Sequence, residues 1–268
     1  LVRSGLCRHV LCVTGDNRLT GMGEKVQAAL ADVGHAQYEQ PYGMSVPAAF
    51  AMAAQVYFHE GWLNGDHLAA VAVNQRANAA LHPQAHMKKP ITMDDVRKSK
   101  VIASPLRMLD CDVHCDASTA IVLSRIDAAR GGPNPPIRLE AIGAALHQPW
   151  SWDQIDLTAM VTGEVARMMW SRTDLKPSDL GSAQLYDGFS ILTMIWLEAL
   201  GLCPLGEGGR FIEGGHNIAR DGVIPINTNG GQLSGGRTHG LGYVHEACSQ
   251  LWGRAGERQL KAHHASVV

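Results

Sequence analysis

Several rhythms of apolar and polar residues can be read along this chain. Residues 9–14 (HVLCVT) form a short apolar run that ends at Gly15, the pattern of a buried parallel strand. Residues 17–43 are loop-like, with a helix predicted over 24–33. Residues 47–60 are apolar almost all round and stop before Gly61, which predicts a buried helix. Gly65 and Asp66 open a second helix, running to about residue 81, with Asp66 as its expected N-cap. Residues 78–99 are polar and contain Pro83 and Pro90. Within them, Thr92 followed by Asp95 fits a capping box for a short helix over 93–98. Residues 106–109 and 117–124 are strand candidates, the second (ASTAIVLS) the clearer.

The segment GGPNPP at 131–136 is the best linker in the chain. It separates a first unit, 1–130, from a second, 137–268. The second restarts with a predicted strand at 138–144 and a helix near 157–171, followed by a turn at 176–179. A short strand at 182–186 ends sharply at Asp187-Gly188, and an apolar helix follows over 189–200. A glycine-rich loop occupies 206–215. A glycine-dense segment, 228–242, leads into a helix over about 243–252. Strands alternating with helices imply an α/β architecture with parallel or mixed sheets. Residues 1–6 read like the last turn of a helix and 265–268 like the first half of a strand, so the ends of the fold are expected to be missing.

Composition narrows the function. The chain has 268 residues, enough to bury a sizeable core. Charged residues are only 18%, below the usual quarter, which suggests surface hidden against a partner. With 23 basic and 25 acidic residues and no basic stripe, the footprint of a nucleic-acid binder is missing. Apolar stretches are broken well before about 18 residues, so no membrane span is predicted. The six cysteines (Cys7, Cys12, Cys111, Cys115, Cys203 and Cys248) show no C-x-x-C pair. They are expected to be reduced thiols of a cytoplasmic protein.

Four constellations could carry chemistry. Cys111-Asp112-Val113-His114-Cys115 offers metal-ligating types, but its spacing is not a zinc pattern and no second ligand pair follows; a strand-to-turn segment with buried thiols is the plainer reading. Gly206-Glu-Gly-Gly-Arg210 lacks the Lys-Ser/Thr of a phosphate loop and reads as a surface loop. In Tyr186-Asp187-Gly188-Phe189, an apolar strand ends in a polar turn before a helix. Tyr186 and Asp187 would then stand at the sheet end, where α/β proteins keep their sites. The plainer alternative is a core tyrosine and a helix-capping Asp187. Lastly, residues 227–240 (NTNGGQLSGGRTHG) make a loop that opens a helix. Its backbone N–H groups suit a developing negative charge, drawing on Asn227, Gly230, Gly231, Ser234 and Gly236. Arg237 and His239 could add charge or proton transfer. A structural glycine loop is the alternative, since glycines this dense imply that backbone must approach something closely.

Together these last two segments resemble the thiolase superfamily, specifically its sterol-carrier-protein-type branch. Pro41-Tyr42-Gly43-Met44-Ser45-Val46-Pro47-Ala48, Tyr57-Phe58-His59-Glu60, Pro90-Ile91-Thr92 and residues 105–111 (PLRMLDC) look like that branch as well. The resemblance implies a thiolase-like α/β fold, two related βα halves layered α-β-α-β-α. The nucleophilic-cysteine loop would lie before Leu1 and the terminal C-x-G loop after Val268. It also implies at least a homodimer. Where sterol-carrier-type thiolases have His-Asp-Cys-Phe, this chain has Tyr186-Asp187-Gly188-Phe189. Ten residues after Asn227, at the position of the thiolases' second catalytic His, stands Arg237. Without that His a Claisen thiolase could hardly activate its cysteine.

Tyr-Asp-Gly-Phe is similar instead to the thiolase-like steroid side-chain aldolases called lipid-transfer proteins. That resemblance implies retro-aldol cleavage of a β-hydroxyacyl-CoA, with coenzyme A part of the substrate and no separate cofactor or metal. It implies a small OB-fold partner carrying a zinc ribbon, and a second tyrosine near position 237. In such chemistry Tyr186 is the expected base or acid, Arg237 a nearby cation, His239 a weaker proton-transfer group, and Asp187 an orienting group. The alternatives are an acyl-transferase thiolase whose cysteine lies outside this sequence, and a non-catalytic lipid- or acyl-CoA-binding protein.

Overall fold

The computed structural model describes residues 1–22, 25–32, 34–43, 45–129, 131–146, 160–261 and 264–268. Strand β1 (His9–Asn17) is followed by α1 (Lys25–Ala31), α2 (Val46–His59), α3 (Gly65–Ala80) and α4 (Met93–Lys98). Then come β2 (Val101–Ala103), β3 (Leu106–Arg107), β4 (Asp116–Ser124) and α5 (Thr162–Trp170). The second unit continues with β5 (Ser182–Ala183), α6 (Ser190–Ala199), α7 (Gly208–Ile212), α8 (Leu241–Leu251) and β6 (Ser266–Val267). Among the described residues the strands form three two-stranded sheets, β1–β4, β2–β3 and β5–β6. The class is α/β, and no described helix is long and apolar enough to cross a membrane.

The core is helical. The apolar stretch expected over 47–60 is α2, started by Ser45, whose side chain accepts from the Ala48 N–H at 3.4 Å. Its Ala51, Ala54 and Tyr57 pack with Leu68 and Val71 of α3 and with Ile191, Met194 and Leu197 of α6, all buried. Phe50 stacks on Phe189 at the head of α6, ring centroids 4.9 Å apart. Burying each large aliphatic side chain here contributes about 1.5–3 kcal/mol, so this cluster fixes α6 and the turn before it. The capping box over 93–98 forms as expected: Thr92 Oγ1 accepts from Asp95 N–H at 3.2 Å and Asp95 Oδ2 from Thr92 N–H at 2.8 Å.

Five local expectations are corrected. First, the run at 9–14 is not a buried parallel strand. It pairs antiparallel with β4, His9 opposite Ser124 and Asn17 opposite Asp116, and alternate residues such as Leu11 and Val13 are exposed because one face of the ribbon is open. Second, α3 is capped by Asn64, not Asp66: the Asn64 side chain accepts from the N–H groups of Asp66 and His67 at 2.9 and 3.1 Å. Asp66 pairs instead with Arg97 at 2.9 Å.

Third, residues 138–144 pair with no strand among the described residues, leaving Leu139 and Ile142 exposed; an apolar alternation becomes a strand only where an edge receives it. Fourth, the strand at 182–186 stops after Ala183. Beyond it the side chain of Asn227 takes both backbone groups of Leu185, N–H to Oδ1 at 2.6 Å and Nδ2 to O at 2.8 Å, and replaces a neighbouring strand. Fifth, 206–215 is not a plain surface loop. Glu198 Oε1 accepts from the N–H groups of Gly206 and Gly208 at 3.1 and 3.0 Å, and Gly208 and Gly209 are buried at the start of α7. The start of the helix expected over 157–171 lies outside the described residues, as do positions 24 and 33 of the helix expected over 24–33.

At the second unit's end, β6 pairs parallel with β5. Helix α8 is tied down by a buried ion pair, Arg258 Nη2 to Glu246 Oε2 at 2.8 Å. Burial pushes the Glu246 carboxyl up, but Arg258, Gln250 and Thr228 together hold it below the usual range. Through Thr228 Oγ1, 2.8 Å from Glu246 Oε1, this pair also anchors the glycine-dense segment. Glu246→Ala strands the buried guanidinium and is expected to cost about 3–5 kcal/mol in chemical denaturation. A loss below about 1 kcal/mol would contradict this role for the pair.

Candidate active site

Three stretches meet beyond the end of β5. The first is the turn 185–189 between β5 and α6. Asp187 in it is completely buried. Its Oδ1 accepts from the Gln232 N–H at 2.6 Å and from the Tyr243 hydroxyl of α8. The Asp187 N–H in turn donates to the Tyr243 oxygen at 3.2 Å. Oδ2 has no partner among the described residues. Burial pushes the Asp187 carboxyl up to about 6, against the opposing pull of Tyr243 and Gln232. Burial also holds Tyr243 well above the ordinary phenol range, so it remains a donor. Asp187 is therefore tied to the glycine-dense segment and α8, and it does not cap α6, whose N-cap is Phe189 with no side-chain bond.

The second stretch is 227–240. Its glycines are required where backbone passes close to protein atoms. Gly231 has φ +58°, and a Cβ there would lie 2.0 Å from Asp187 Oδ2. Gly230 lies against Ala79 of α3, and Gly236 against the Cys115 thiol. Helix α3 supplies the platform: Asn78 Nδ2 donates to the carbonyls of Ile226 and Asn227 at 3.0 and 3.2 Å. Arg76 Nε donates to Ser234 Oγ at 2.8 Å, so Ser234 is turned into the protein.

The third stretch is 111–116. It acts as a strut between the other two. The Asp112 N–H donates to Gly188 O, the Val113 N–H to Gln232 O, and the Arg237 N–H to Val113 O, each at 3.0 Å. Cys115 is buried and its Sγ lies 3.5 Å from Arg237 O. Among the described residues no group of three or more His, Cys, Asp or Glu side chains is arranged to hold a metal ion.

Against this frame the tyrosine stands out. Tyr186 is half-buried, and its ring lies 6.5 Å from that of Tyr243. No hydrogen bond engages its hydroxyl among the described residues. The ring leans over Gly188, where a Cβ would sit 2.9 Å from Cε1 and 3.4 Å from the hydroxyl oxygen. Tyrosine at 186 and glycine at 188 are thus one steric unit: any larger residue at 188 needs this ring elsewhere.

Arg237 does not spend its charge on Tyr186. Its Nη1 pairs with Asp112 Oδ2 at 3.1 Å, both side chains largely buried, while Nε is buried without a hydrogen-bond partner among the described residues. Burial raises the Asp112 carboxyl, with Arg237 opposing the rise. His239 sits at φ +47° with Nε2 3.3 Å from Asp16 Oδ2. Its pKa is lowered by burial and by the cations Arg18 and Arg237, against the opposing pull of Asp16. The structure therefore gathers Tyr186, Asp187, Asn227, Gly231 and Arg237 around one junction. Ser234 and His239 face α3 and the β1 end respectively. Sequence reasoning missed Asp112, Tyr243, Arg76 and Asn78. A signal existed for two of them: Asp112 lay inside a segment weighed only for metal, and Tyr243 followed the glycine loop in the neighbourhood where a second tyrosine was expected.

Comparison with known proteins fits this geometry. The family described as thiolase C-terminal domain-like matches residues 143–268. The 17-hydroxy-3-oxo-4-pregnene-20-carboxyl-CoA lyase of Mycobacterium tuberculosis is 35% identical over all of this chain and 72% of its own length. The steroid side-chain-cleaving aldolase of Thermomonospora curvata is 33% identical over 92% of this chain and 66% of its own. The solved structure of an Ltp2-ChsH2(DUF35) aldolase superposes with a TM-score of 0.83 at 33% identity, covering 95% of this chain and 67% of that one. The fold is that of the thiolases, and the chain belongs to the sterol-carrier-protein-type branch of that superfamily, alongside the steroid side-chain aldolases.

The raised Asp187 carboxyl carries a prediction. Its favourable contribution to folding is complete below about pH 4 and is lost as pH rises to about 6, because the folded state holds the proton longer than the unfolded chain. A rise of about two units corresponds to about 3 kcal/mol. Asp187→Asn is expected to remove this fall from the stability curve, measured by urea unfolding at pH 4 and pH 7. A wild type that gains stability relative to Asp187→Asn as pH rises across this window would contradict the burial-driven shift.

Proposed function

We propose that this chain belongs to a carbon–carbon lyase that cleaves a β-hydroxyacyl-CoA, of a steroid side chain or a similarly bulky branched acid, by retro-aldol reaction. The observation that carries the reading is the Tyr186 hydroxyl, unengaged among the described residues, at the position where thiolases of this branch have histidine. The lyase and aldolase activities of the two relatives, matched over 72% and 66% of their own lengths, support it.

The chemistry asks for little. A base takes the proton of the β-hydroxyl. The bond between the α- and β-carbons breaks, its electron pair passes into the thioester as an enolate, and the hydroxyl carbon becomes a ketone. An acid then protonates the α-carbon, releasing a shortened acyl-CoA. No oxidant or added thiol enters, and a tertiary hydroxyl, which cannot be oxidised to a β-ketone, is no obstacle. Tyr186 serves as base or acid. A free phenol is ionised near pH 7 only at a cost of about 4 kcal/mol, which a nearby cation lowers and a dry surrounding raises. Asp187 and Asn227 orient the turn. Burial pushes the Cys111 and Cys203 thiols up to about 12, so neither of these two is an activated thiol for acyl transfer.

We further propose that coenzyme A enters only as part of the substrate. The protein works as a homodimer, joined by a small OB-fold partner that carries a zinc ribbon. The two-component name of the similar solved aldolase supports the partner. The exposed Leu11 and Val13 on the open face of β1 support further association. Six unpaired cysteines suit a reducing, cytoplasmic location.

Tyr186→Phe is expected to lower kcat for ketone release from a tertiary β-hydroxyacyl-CoA by about 100-fold or more while leaving the thermal midpoint unchanged. Near-wild-type turnover would remove Tyr186 from the mechanism. Gly188→Ala, which keeps the phenol but crowds its ring, is expected to lower kcat about tenfold or more; an unaffected rate would show that the ring position is immaterial.

A further inference from the structure

The proposed cleavage needs two proton transfers, one from the β-hydroxyl and one to the α-carbon, and Tyr186 accounts for one of them. The strut at 111–116 carries a side chain for the other. Residues 110–112 run antiparallel to 188–190. Cys111 bridges Phe189, the Asp112 N–H donates to Gly188 O at 3.0 Å, and the Ser190 hydroxyl donates to Asp110 Oδ1 at 3.0 Å. Val113 then turns to the glycine-dense segment, where both of its backbone groups are bonded, to Gln232 O and to the Arg237 N–H. Cys115 is buried, with its Sγ 3.5 Å from Arg237 O. His114 lies between these fixed points. Its Cα is at most about 7 Å along the chain from Asp112, whose N–H holds the carbonyl of Gly188, the residue over which the Tyr186 ring leans.

His114 is half-buried, so it is held in place and still open to a ligand. It lies within electrostatic reach of the Asp112 carboxylate, as do Arg237 and Arg18. Of the titratable side chains in the three stretches that form the site, Tyr186 and His114 are the two that make neither a hydrogen bond nor an ion pair among the described residues. An imidazole takes up and returns a proton near neutral pH, and it is the side chain most often used to do so. A phenol and an imidazole, both unengaged and both set beside one turn, are the two groups that a retro-aldol reaction requires.

Resting on the aldolase reading, we infer that His114 is the catalytic base of the cleavage and that Tyr186 is its acid. A ring nitrogen of His114 takes the proton of the β-hydroxyl. The bond between the α- and β-carbons breaks, the β-carbon becomes the ketone, and the electron pair passes into the thioester as an enolate. The neutral phenol of Tyr186 gives its proton to the α-carbon. The imidazolium then returns a proton to the phenolate, directly or through a water molecule, and both side chains regain their starting forms. The hydroxyl proton is thus exchanged for one on the α-carbon, and nothing else is consumed. In this division of work Tyr186 does not have to ionise before the carbon–carbon bond breaks.

The test uses the complete protein with its partner and a tertiary β-hydroxyacyl-CoA, measuring kcat by ketone release. His114→Ala is expected to lower kcat about 100-fold, and imidazole added to the buffer to raise the rate of that variant threefold or more in a saturating manner. His114→Gln keeps the bulk and the hydrogen-bonding groups but cannot take up a proton, and it is expected to lose tenfold or more. The inference is overturned if either variant loses less than tenfold, or if imidazole raises the rate of His114→Ala by less than threefold. Should His114→Ala not fold, the kcat of His114→Gln decides by the same tenfold limit. Cleavage by the wild type that Tyr186→Phe abolishes, with the His114 variants unaffected, would overturn this inference and leave the aldolase reading standing. No cleavage by the wild type would overturn both.

Discussion

A carboxylate sealed inside the protein is the constraint on which the site depends. Asp187 is sealed from water, so its Oδ1 is served by the chain itself, and the groups that serve it come from two other stretches, the Gln232 backbone and the Tyr243 hydroxyl. To bring Gln232 within 2.6 Å, the preceding backbone must pass so close to Asp187 that only glycine fits at 231. To keep Tyr243 in reach, α8 must sit where the Glu246–Arg258 pair holds it. One buried acid therefore couples the turn after β5, the glycine loop and α8. The cost of burying it, partly met by two hydrogen bonds, is returned as a rigid frame around the residue that is left free.

That residue is Tyr186, and its freedom depends on an absence. The missing side chain at Gly188 lets the ring lie over its own turn. In the branch to which this chain belongs, thiolases have a cysteine at that position, and a Cβ there would strike the ring. The exchange of two residues in one tetrapeptide thus replaces an imidazole and a thiol by one phenol, in keeping with the lyase reaction proposed above. The second exchange, Arg237 for the expected histidine, fits the same logic. An arginine is a poor base and a good partner for negative charge, which suits the enolate of the proposed lyase reaction.

Much of this was legible in the sequence where the physics is local. The capping box at Thr92 and Asp95, the apolar helix at 47–60 and the strand–turn–helix around Tyr186 need only neighbours a few residues away. The N-cap of α3 was misjudged by two residues because Asn64 and Asp66 are both good caps, and only the engagement of Asp66 with Arg97 decides between them. The strand expected at 138–144 carries the right alternation, but pairing is a property of two segments and its partner cannot be read from one. Asp112 was hidden for a related reason. Its placement arises from a backbone bond to Gly188 and an ion pair with Arg237, residues 76 and 125 positions away. Arg76 and Asn78, polar residues on a buried helix face, look unfavourable until the loop they support is known.

The account stands on the reaction class, and product analysis tests that most directly. The complete protein, with and without its OB-fold partner, would be incubated with a tertiary β-hydroxyacyl-CoA in the absence of free coenzyme A, and the products identified by mass spectrometry. A ketone and a correspondingly shortened acyl-CoA, in equal amounts, is the result predicted. Unchanged substrate, with turnover confined to a β-ketoacyl-CoA supplied together with coenzyme A, would contradict it.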